Sequence, residues 1–127
     1  VPGLSDNIRV ISIVGRYLEH SRLYYFLNNG AEEIYLSSAD LMPRNLYRRV
    51  EIAFPLEDEN LKQYLMKTLV NVTLKDNVKA RVLMPNGKYI QPEVAEGAKR
   101  INAQEWLMNY AEKENKKKIT QKITSAP

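Results

Sequence analysis

The sequence predicts an α/β (α+β) fold, with a sheet flanked by helices, because strand-like and helix-like segments alternate along its 127 residues. Two strand pairs are indicated by turn sequences between apolar runs, at residues 28–30 and 85–87. Two longer segments, 59–75 and 102–114, carry apolar residues at helical spacing. No internal repeat is visible, so a single core is the simplest architecture for this length.

The first predicted hairpin joins two apolar, aromatic-rich runs, residues 23–27 and 34–36. Asn29-Gly30 lies between them, and this dipeptide favours the positive φ angles of a tight reversal. Antiparallel pairing would bring the residues before the first strand to the same end of the hairpin as those after the second strand.

Polar and charged side chains flank that end of the hairpin. His20 and Arg22 precede the first strand, while Ser37, Ser38 and Asp40 follow the second. An imidazole, a guanidinium, two hydroxyls and a carboxylate at one place suit an anionic, phosphate-like ligand. By local preference alone, Asp40 would more often satisfy its own turn than hold Mg²⁺ or orient Arg44 and Asn45. Ordinary ion pairs between surface arginines and Asp40, Glu51 or Glu19 are the alternative to a phosphate site.

The segment before the hairpin is ambiguous between helix and strand. Apolar residues from Val10 to Leu18 follow helical spacing, although residues 8–11 are rich in β-branched side chains. We predict a helix over residues 12–19. Gly15 weakens such a helix, so it is either tolerated there or lets another backbone approach.

After the hairpin, residues 42–45 are predicted to form a loop and residues 48–54 a half-buried strand, because apolar and polar residues alternate there. In that strand, Arg48 and Arg49 would point to opposite faces, so at most one of them would reach a common ligand. Asp58 is the predicted N-cap of the helix over residues 59–75. The strands 78–84 and 88–91 form the second hairpin, and the final helix over 102–114 turns Trp106, Leu107 and Tyr110 inward.

The net charge of +4 comes from the end of the chain. Residues 113–127 hold five lysines and one glutamate, whereas residues 1–112 hold 14 basic and 14 acidic residues. A nucleic-acid-binding domain would carry its basic excess as a folded patch, so nucleic acid is not an expected partner. We predict a folded domain over 1–112 and a lysine-rich, disordered tail over 113–127.

Composition also limits the chemistry. The chain has no cysteine and one histidine, which excludes disulfides and thiolate metal sites and argues against an all-protein zinc site. The lack of cysteine fits a reducing cytoplasm, the expected location, with peripheral attachment to the inner membrane left open. No apolar run reaches 18 residues, so no membrane span is expected.

Three motifs carry a family resemblance: GLSDNIRVISIVGRYLEHSRLYYFLNNG, IYLSSADLMPRN and RRVEIAFPL. In this order they resemble the C-terminal part of polyphosphate kinase, which transfers the terminal phosphate of ATP to a polyphosphate chain and can run backwards. The resemblance extends from residue 1 to about residue 111. It implies ATP, ADP and inorganic polyphosphate as ligands, and the preceding domains of the same protein and a homo-oligomer as partners.

The C-terminal domains of that family resemble phospholipase D, which implies a mixed sheet flanked by helices. The phospholipase signature is His-x-Lys, a later Asp, then Gly-Ser-x-Asn. Here His20-Ser21-Arg22 stands for the first motif and Ser37-Ser38-Ala39-Asp40 for the last. Arginine keeps the charge and adds a fork for phosphate oxygens, while aspartate removes a donor, so these departures argue against phosphodiester hydrolysis.

The resemblance implies that His20 is catalytic, as an acid or base facing the transferred phosphate, because the phosphorylated histidine of the family lies in a preceding domain. It also implies that ATP phosphates are bound by a set of side chains that share hydrogen-bonding capacity: His20, Arg22, Ser38, Arg44 and Asn45. The implied Mg²⁺ would take its ligands upstream, outside this chain. Tyr47 stands where many members have aspartate.

Two other functions stay open at this stage. A phospholipase-D-like phosphodiesterase would pair two such histidine motifs in a dimer. A non-catalytic polyanion-binding or assembly domain would need no turnover from His20. Under the favoured interpretation, a polyphosphate kinase domain, the isolated chain is expected to be inactive, because phosphoryl transfer needs charge neutralisation from both sides of the site.

Overall fold

The computed structural model describes residues 1–124, except the side chains of residues 119, 120 and 122–124. It divides into two compact units. We call Leu18–Met66 the hairpin unit, and Val1–Tyr17 together with Lys67–Pro127 the terminal unit. Each unit holds a three-stranded antiparallel sheet and helices, which confirms the α+β class, with two antiparallel sheets in place of the single mixed sheet expected.

The sheet of the hairpin unit has the order β2-β3-β4. Its strands are β2 (Leu23–Phe26), β3 (Glu33–Ser37) and β4 (Ala53–Pro55). The antiparallel pairing of β2 with β3, in register at Leu23 and Leu36, confirms the predicted hairpin. Its connection includes a 3₁₀ turn over Asn28–Gly30, in which all three residues have positive φ, as the Asn-Gly signal predicts. Ile34 of β3 is the buried centre of this sheet.

Two predictions for the hairpin unit are wrong. The expected loop at 42–45 opens helix α1 (Pro43–Arg48), because Pro43 suits the first helical position and the carbonyl of Met42 accepts the amide of Leu46 at 3.0 Å. The expected strand at 48–54 is reduced to its end, since β4 begins only at Ala53. Val50 and Ile52 are exposed, so the alternation there does not describe a buried face. Arg48 and Arg49 therefore do not point to opposite faces of a strand, because Arg48 ends α1 and Arg49 is its C-cap.

The predicted helix over residues 59–75 is present as three consecutive helical segments. These are α2 (Glu59–Leu65), a π-helical segment (Met66–Val70) and α3 (Asn71–Leu74). Asp58 is confirmed as the N-cap, because its carboxylate accepts the amide of Leu61 at 2.9 Å. The π-helical geometry had no signal in the sequence.

The sheet of the terminal unit has the order β1-β5-β6, with β1 at Ile11–Ile13, β5 at Ala80–Leu83 and β6 at Tyr89–Ile90. The β5–β6 pairing confirms the second hairpin, and Gly87 in its turn has a φ of 79°. The helix predicted over 12–19 is wrong: Ile11 and Ile13 pair with Val82 and Ala80 of β5. A distant strand partner and β-branched side chains outweighed the helical spacing.

The last helix, α4 (Ala103–Thr124), begins where predicted and continues beyond the predicted end at residue 114. Trp106 and Tyr110 stack with ring centroids 5.1 Å apart, and they and Leu107 are half-buried. The lysine-rich stretch from residue 113 is helical as far as Thr124, and residues 125–127 lie outside the described part. The division into a 1–112 domain and a disordered 113–127 tail stays a prediction.

A buried aspartate organises the terminal unit. Asp76 is 2% exposed. Its Oδ1 accepts the amides of Val78, Lys79 and Ala80 at 2.7–3.0 Å, and its Oδ2 accepts the amide of Ala103 at 2.7 Å. Burial raises the pKa of Asp76, but the four backbone donors act in the opposite direction and hold it below its ordinary value. One side chain therefore fixes the starts of both β5 and α4.

A second buried amide group explains Gly15. Gln104 accepts the amide of Tyr17 at 3.0 Å through Oε1 and donates to the Tyr17 carbonyl at 2.7 Å through Nε2. A Cβ at Gly15 would lie 2.5 Å from Cδ of Gln104. The close approach at Gly15 is thus made by a side chain, where the sequence suggested a backbone.

Among residues 1–124, no helix combines the length and the apolar character needed to cross a membrane.

Candidate functional site

The candidate site lies at the end of the hairpin where β2 begins and β3 ends. The amide of Ser37 donates to the carbonyl of Arg22 at 3.0 Å, so the two flanking segments run side by side. This is the juxtaposition that antiparallel pairing predicts for the residues around His20 and those after β3.

An ion pair joins the two segments. Nε of Arg22 donates to Oδ1 of Asp40 at 2.7 Å, and Nη1 donates to the backbone carbonyl of His20 at 2.9 Å. The side chain of Arg22 is 26% exposed and that of Asp40 is 42% exposed. Within residues 1–124 the third guanidinium nitrogen, Nη2, makes no hydrogen bond, so it stays available for another acceptor.

Arg22 and Asp40 each stabilise the charged form of the other. The hydrogen bond from Arg22 lowers the pKa of Asp40 below its ordinary value, and Asn45 and Arg44 lower it further. The same bond raises the pKa of Arg22. The carboxylate of Asp40 thus binds the arginine, where its sequence position favoured a turn.

The two serine hydroxyls are tied to the segment that leads into β4. Ser38 donates through Oγ to Glu51 at 2.5 Å and accepts the amide of Ile52 at 3.1 Å. Ser37 donates through Oγ to the carbonyl of Ile52 at 3.2 Å. The contact of Glu51 with Ser38 had no signal in the sequence, because it depends on the path of the chain after α1. A phosphate oxygen at Ser38 would have to replace Glu51.

The remaining sequence-predicted residues, His20, Arg44 and Asn45, differ in their exposure to solvent. The side chain of His20 is exposed, and only its backbone carbonyl is held by Arg22. Arg44 is exposed on α1, where it lines an open cavity of about 410 Å³ with Pro43, Tyr47 and Arg48. Asn45 is 3% exposed, and its Oδ1 has no hydrogen-bond partner among the residues that the structure describes.

A metal site is not evident in the part of the chain described. No group of three or more histidine, cysteine, aspartate or glutamate side chains lies together among those residues. Asp40 and Glu51, which lie at the site, are bonded to Arg22 and Ser38 respectively. These residues therefore do not fit a Mg²⁺ ion.

By fold, the chain resembles one α+β portion of a longer protein. It superposes on the crystal structure of polyphosphate kinase from Porphyromonas gingivalis with a TM-score of 0.79 and 37% sequence identity, covering 89% of this chain and 17% of that one. Residues 1–104 match the family described as polyphosphate kinase C-terminal domain 2. The chain belongs to that family.

Curated relatives agree with this assignment. The polyphosphate kinase of Bacillus anthracis is 50% identical over 111 residues, which are 87% of this chain. Polyphosphate kinase 1 of Chlorobaculum tepidum is 49% identical over 120 residues, which are 94% of this chain. This chain spans about 16% of the length of each of these relatives.

Proposed function

We propose that this chain is part of an enzyme that reversibly transfers the terminal phosphate of ATP to inorganic polyphosphate, and that the hairpin unit forms one wall of its active site. The observation that carries the proposal is the arrangement of Arg22. Its guanidinium is held beside His20 and Asp40 while Nη2 remains without a hydrogen bond in residues 1–124. An arginine of this kind suits phosphate oxygens, and the family assignment supports polyphosphate and ATP as their source.

In this proposal His20 is the catalytic acid or base. Its exposed imidazole donates a proton to the departing ADP oxygen in the forward direction and removes it in reverse. When that proton is delivered, the bond between the terminal phosphorus and the bridging oxygen breaks. The phosphoryl group passes to a histidine carried on another domain, and from there to the polyphosphate chain.

Arg22, Ser38 and Arg44 are the proposed phosphate ligands. Arg22 offers the open edge of its guanidinium, and Arg44 offers an exposed charge on α1. Ser38 takes part by exchanging its bond to Glu51 for one to phosphate. Asn45 is buried, so we assign its contribution to the support of Asp40.

The other components belong to the longer protein. Because the residues described here do not fit Mg²⁺, its ligands are proposed to lie in the preceding domains, and no step above depends on them. A homo-oligomer and a cytoplasmic location, with peripheral attachment to the inner membrane left open, are further proposals from the family.

The test is ATP-dependent polyphosphate synthesis by the full-length protein, comparing the wild type with His20→Ala. We expect kcat to fall about a hundredfold or more, since that is typical of losing a positioned acid or base. Circular dichroism and thermal unfolding should show that the variant is folded. The matched control is Glu32→Gln, because Glu32 lies beyond β2 at the opposite end of the same hairpin, where its carboxylate accepts a hydrogen bond from Tyr25.

Unchanged turnover in His20→Ala would remove His20 from the chemistry. The isolated 127-residue chain is expected to make no polyphosphate, and synthesis by that chain alone would contradict the proposal that it forms only one wall.

A further inference from the structure

We propose that Asp40 is a positioning residue, which orients the guanidinium of Arg22 so that its free edge meets the transferred phosphate. This inference rests on the proposed function, because it assigns a purpose to the ion pair only if Arg22 binds phosphate. It concerns a residue that touches no substrate in the proposal and acts through its neighbour.

The geometry around Arg22 carries the argument. A guanidinium is planar and offers five N–H donors in a fixed fork. Asp40 takes the Nε donor and the backbone carbonyl of His20 takes one from Nη1, so two points on different sides define the orientation of the plane. The protein therefore fixes the direction of the N–H groups on Nη2, and these groups remain available to a ligand.

Asp40 itself is well anchored. The carbonyl of Asp40 accepts the amide of Met42 at 2.7 Å, immediately before α1. Ala39 and Asn45, on either side of it in sequence, are both buried. The carboxylate is therefore presented to Arg22 from a fixed backbone and needs no rearrangement to hold it.

A contribution to folding stability is not a sufficient explanation for the ion pair between Arg22 and Asp40. Both partners are partly exposed, and ion pairs of this kind contribute little to folding because solvent screens them. Glu51 adds to the charge that acts on Arg22 without forming an ion pair with it, and its carboxylate bonds Ser38. If Asp40 were removed, Arg22 would be free to turn towards Glu51 and away from a ligand.

The experiment uses the full-length protein and four variants: Arg22→Ala, Asp40→Ala, Asp40→Asn and the double variant with alanine at both positions. The readouts are kcat and KM for ATP in polyphosphate synthesis, and the Kd of inorganic tripolyphosphate measured by calorimetry. We expect Asp40→Ala to weaken tripolyphosphate binding and raise KM about tenfold, an effect of misplacing a binding group. Asp40→Asn keeps one acceptor for Nε, so its loss should be smaller.

The double variant separates positioning from independent action. If Asp40 acts through Arg22, adding Asp40→Ala to Arg22→Ala should cause no further loss. The thermal midpoint should stay within the range of the Glu32→Gln control.

Other outcomes overturn the inference in distinguishable ways. If Arg22→Ala leaves binding and turnover unchanged, the phosphate site proposed above fails and this inference fails with it. If Arg22→Ala impairs binding but Asp40→Ala does not, or if the two losses multiply in the double variant, positioning is wrong while the proposed function stands. A drop in thermal midpoint that parallels the loss of activity in Asp40→Ala would make the residue structural.

Discussion

Two pairs of polar side chains, one pair in each unit of this chain, act in opposite ways. In the terminal unit, Asp76 and Gln104 are buried and bond the backbone, at the starts of β5 and α4 and at Tyr17. In the hairpin unit, Arg22 and Asp40 are partly exposed and bond each other. The first arrangement fixes the path of the chain, whereas the second leaves donors open to a ligand.

The same contrast is seen in the causes that lower the pKa of Asp40 and of Asp76. Both have a pKa below the ordinary value, but the cause for Asp40 is a charged side chain and the cause for Asp76 is a set of four backbone amides that outweigh burial. A lowered pKa by itself therefore does not distinguish a functional carboxylate from a structural one. The bonding partner of the carboxylate and its exposure to solvent distinguish the two cases.

The largest expected effect follows from removing Asp76. Asp76→Ala leaves the partly buried amides of Val78 and Lys79, and the buried amides of Ala80 and Ala103, without their acceptor. Each such loss costs about 1–3 kcal/mol, and we expect the local opening free energy to fall by about 4 kcal/mol in total. Native-state hydrogen exchange of the full-length protein, followed on peptides that cover these amides, measures the change.

Asp40→Ala is the matched control for this experiment, because it removes the other aspartate with a lowered pKa. It should leave exchange in the same peptides unchanged. An equal loss of hydrogen-exchange protection in both variants would contradict the different roles assigned to the two aspartates.

A smaller effect is expected at Gly15. In Gly15→Ala the new methyl would overlap the amide of Gln104, and overpacking of this kind costs about 1–3 kcal/mol. Protection of the Tyr17 amide should fall accordingly. In Gln104→Ala the amide is absent, so adding Gly15→Ala to that variant should cost nothing more, and an undiminished cost would mean that the overlap is not the cause.

The smallest effect is a dependence on pH that belongs to Asp76. Because its pKa is lower in the folded than in the unfolded chain, the stabilisation is complete above the unfolded value, near 3.9, and is lost as pH falls through the folded value. Urea unfolding followed at peptides 76–84 should show constant stability from pH 7 to about 5 and a decline below about 4. In Asp76→Asn this decline should be reduced, and an identical decline in that variant would assign the pH dependence to other carboxyl groups.

Part of the candidate site was predictable because it follows from strand pairing. Once residues 23–27 and 34–36 are recognised as a hairpin, Arg22 must come close to Ser37 and its neighbours. The partner of Asp40 was not predictable, since a carboxylate at the end of a strand can bond its own turn, a metal or a cation with the same sequence around it. The hydrogen bond between Ser38 and Glu51 was also not predictable, because it depends on where α1 ends and β4 begins.

The sequence by itself determined the features that local forces decide, namely the turn at Asn28–Gly30, the N-cap at Asp58 and both hairpins. Its motifs also indicated the family. Only the tertiary structure decided the others. Residues 11–13 became a strand because β5 offered them hydrogen bonds, although their spacing fits a helix. Asp76 and Gln104 became structural because distant backbone came within reach of their side chains, and Asp40 became the partner of Arg22 because the hairpin brought them together. In each case at least one bonding partner lies well away in the sequence, and no local pattern specifies that partner.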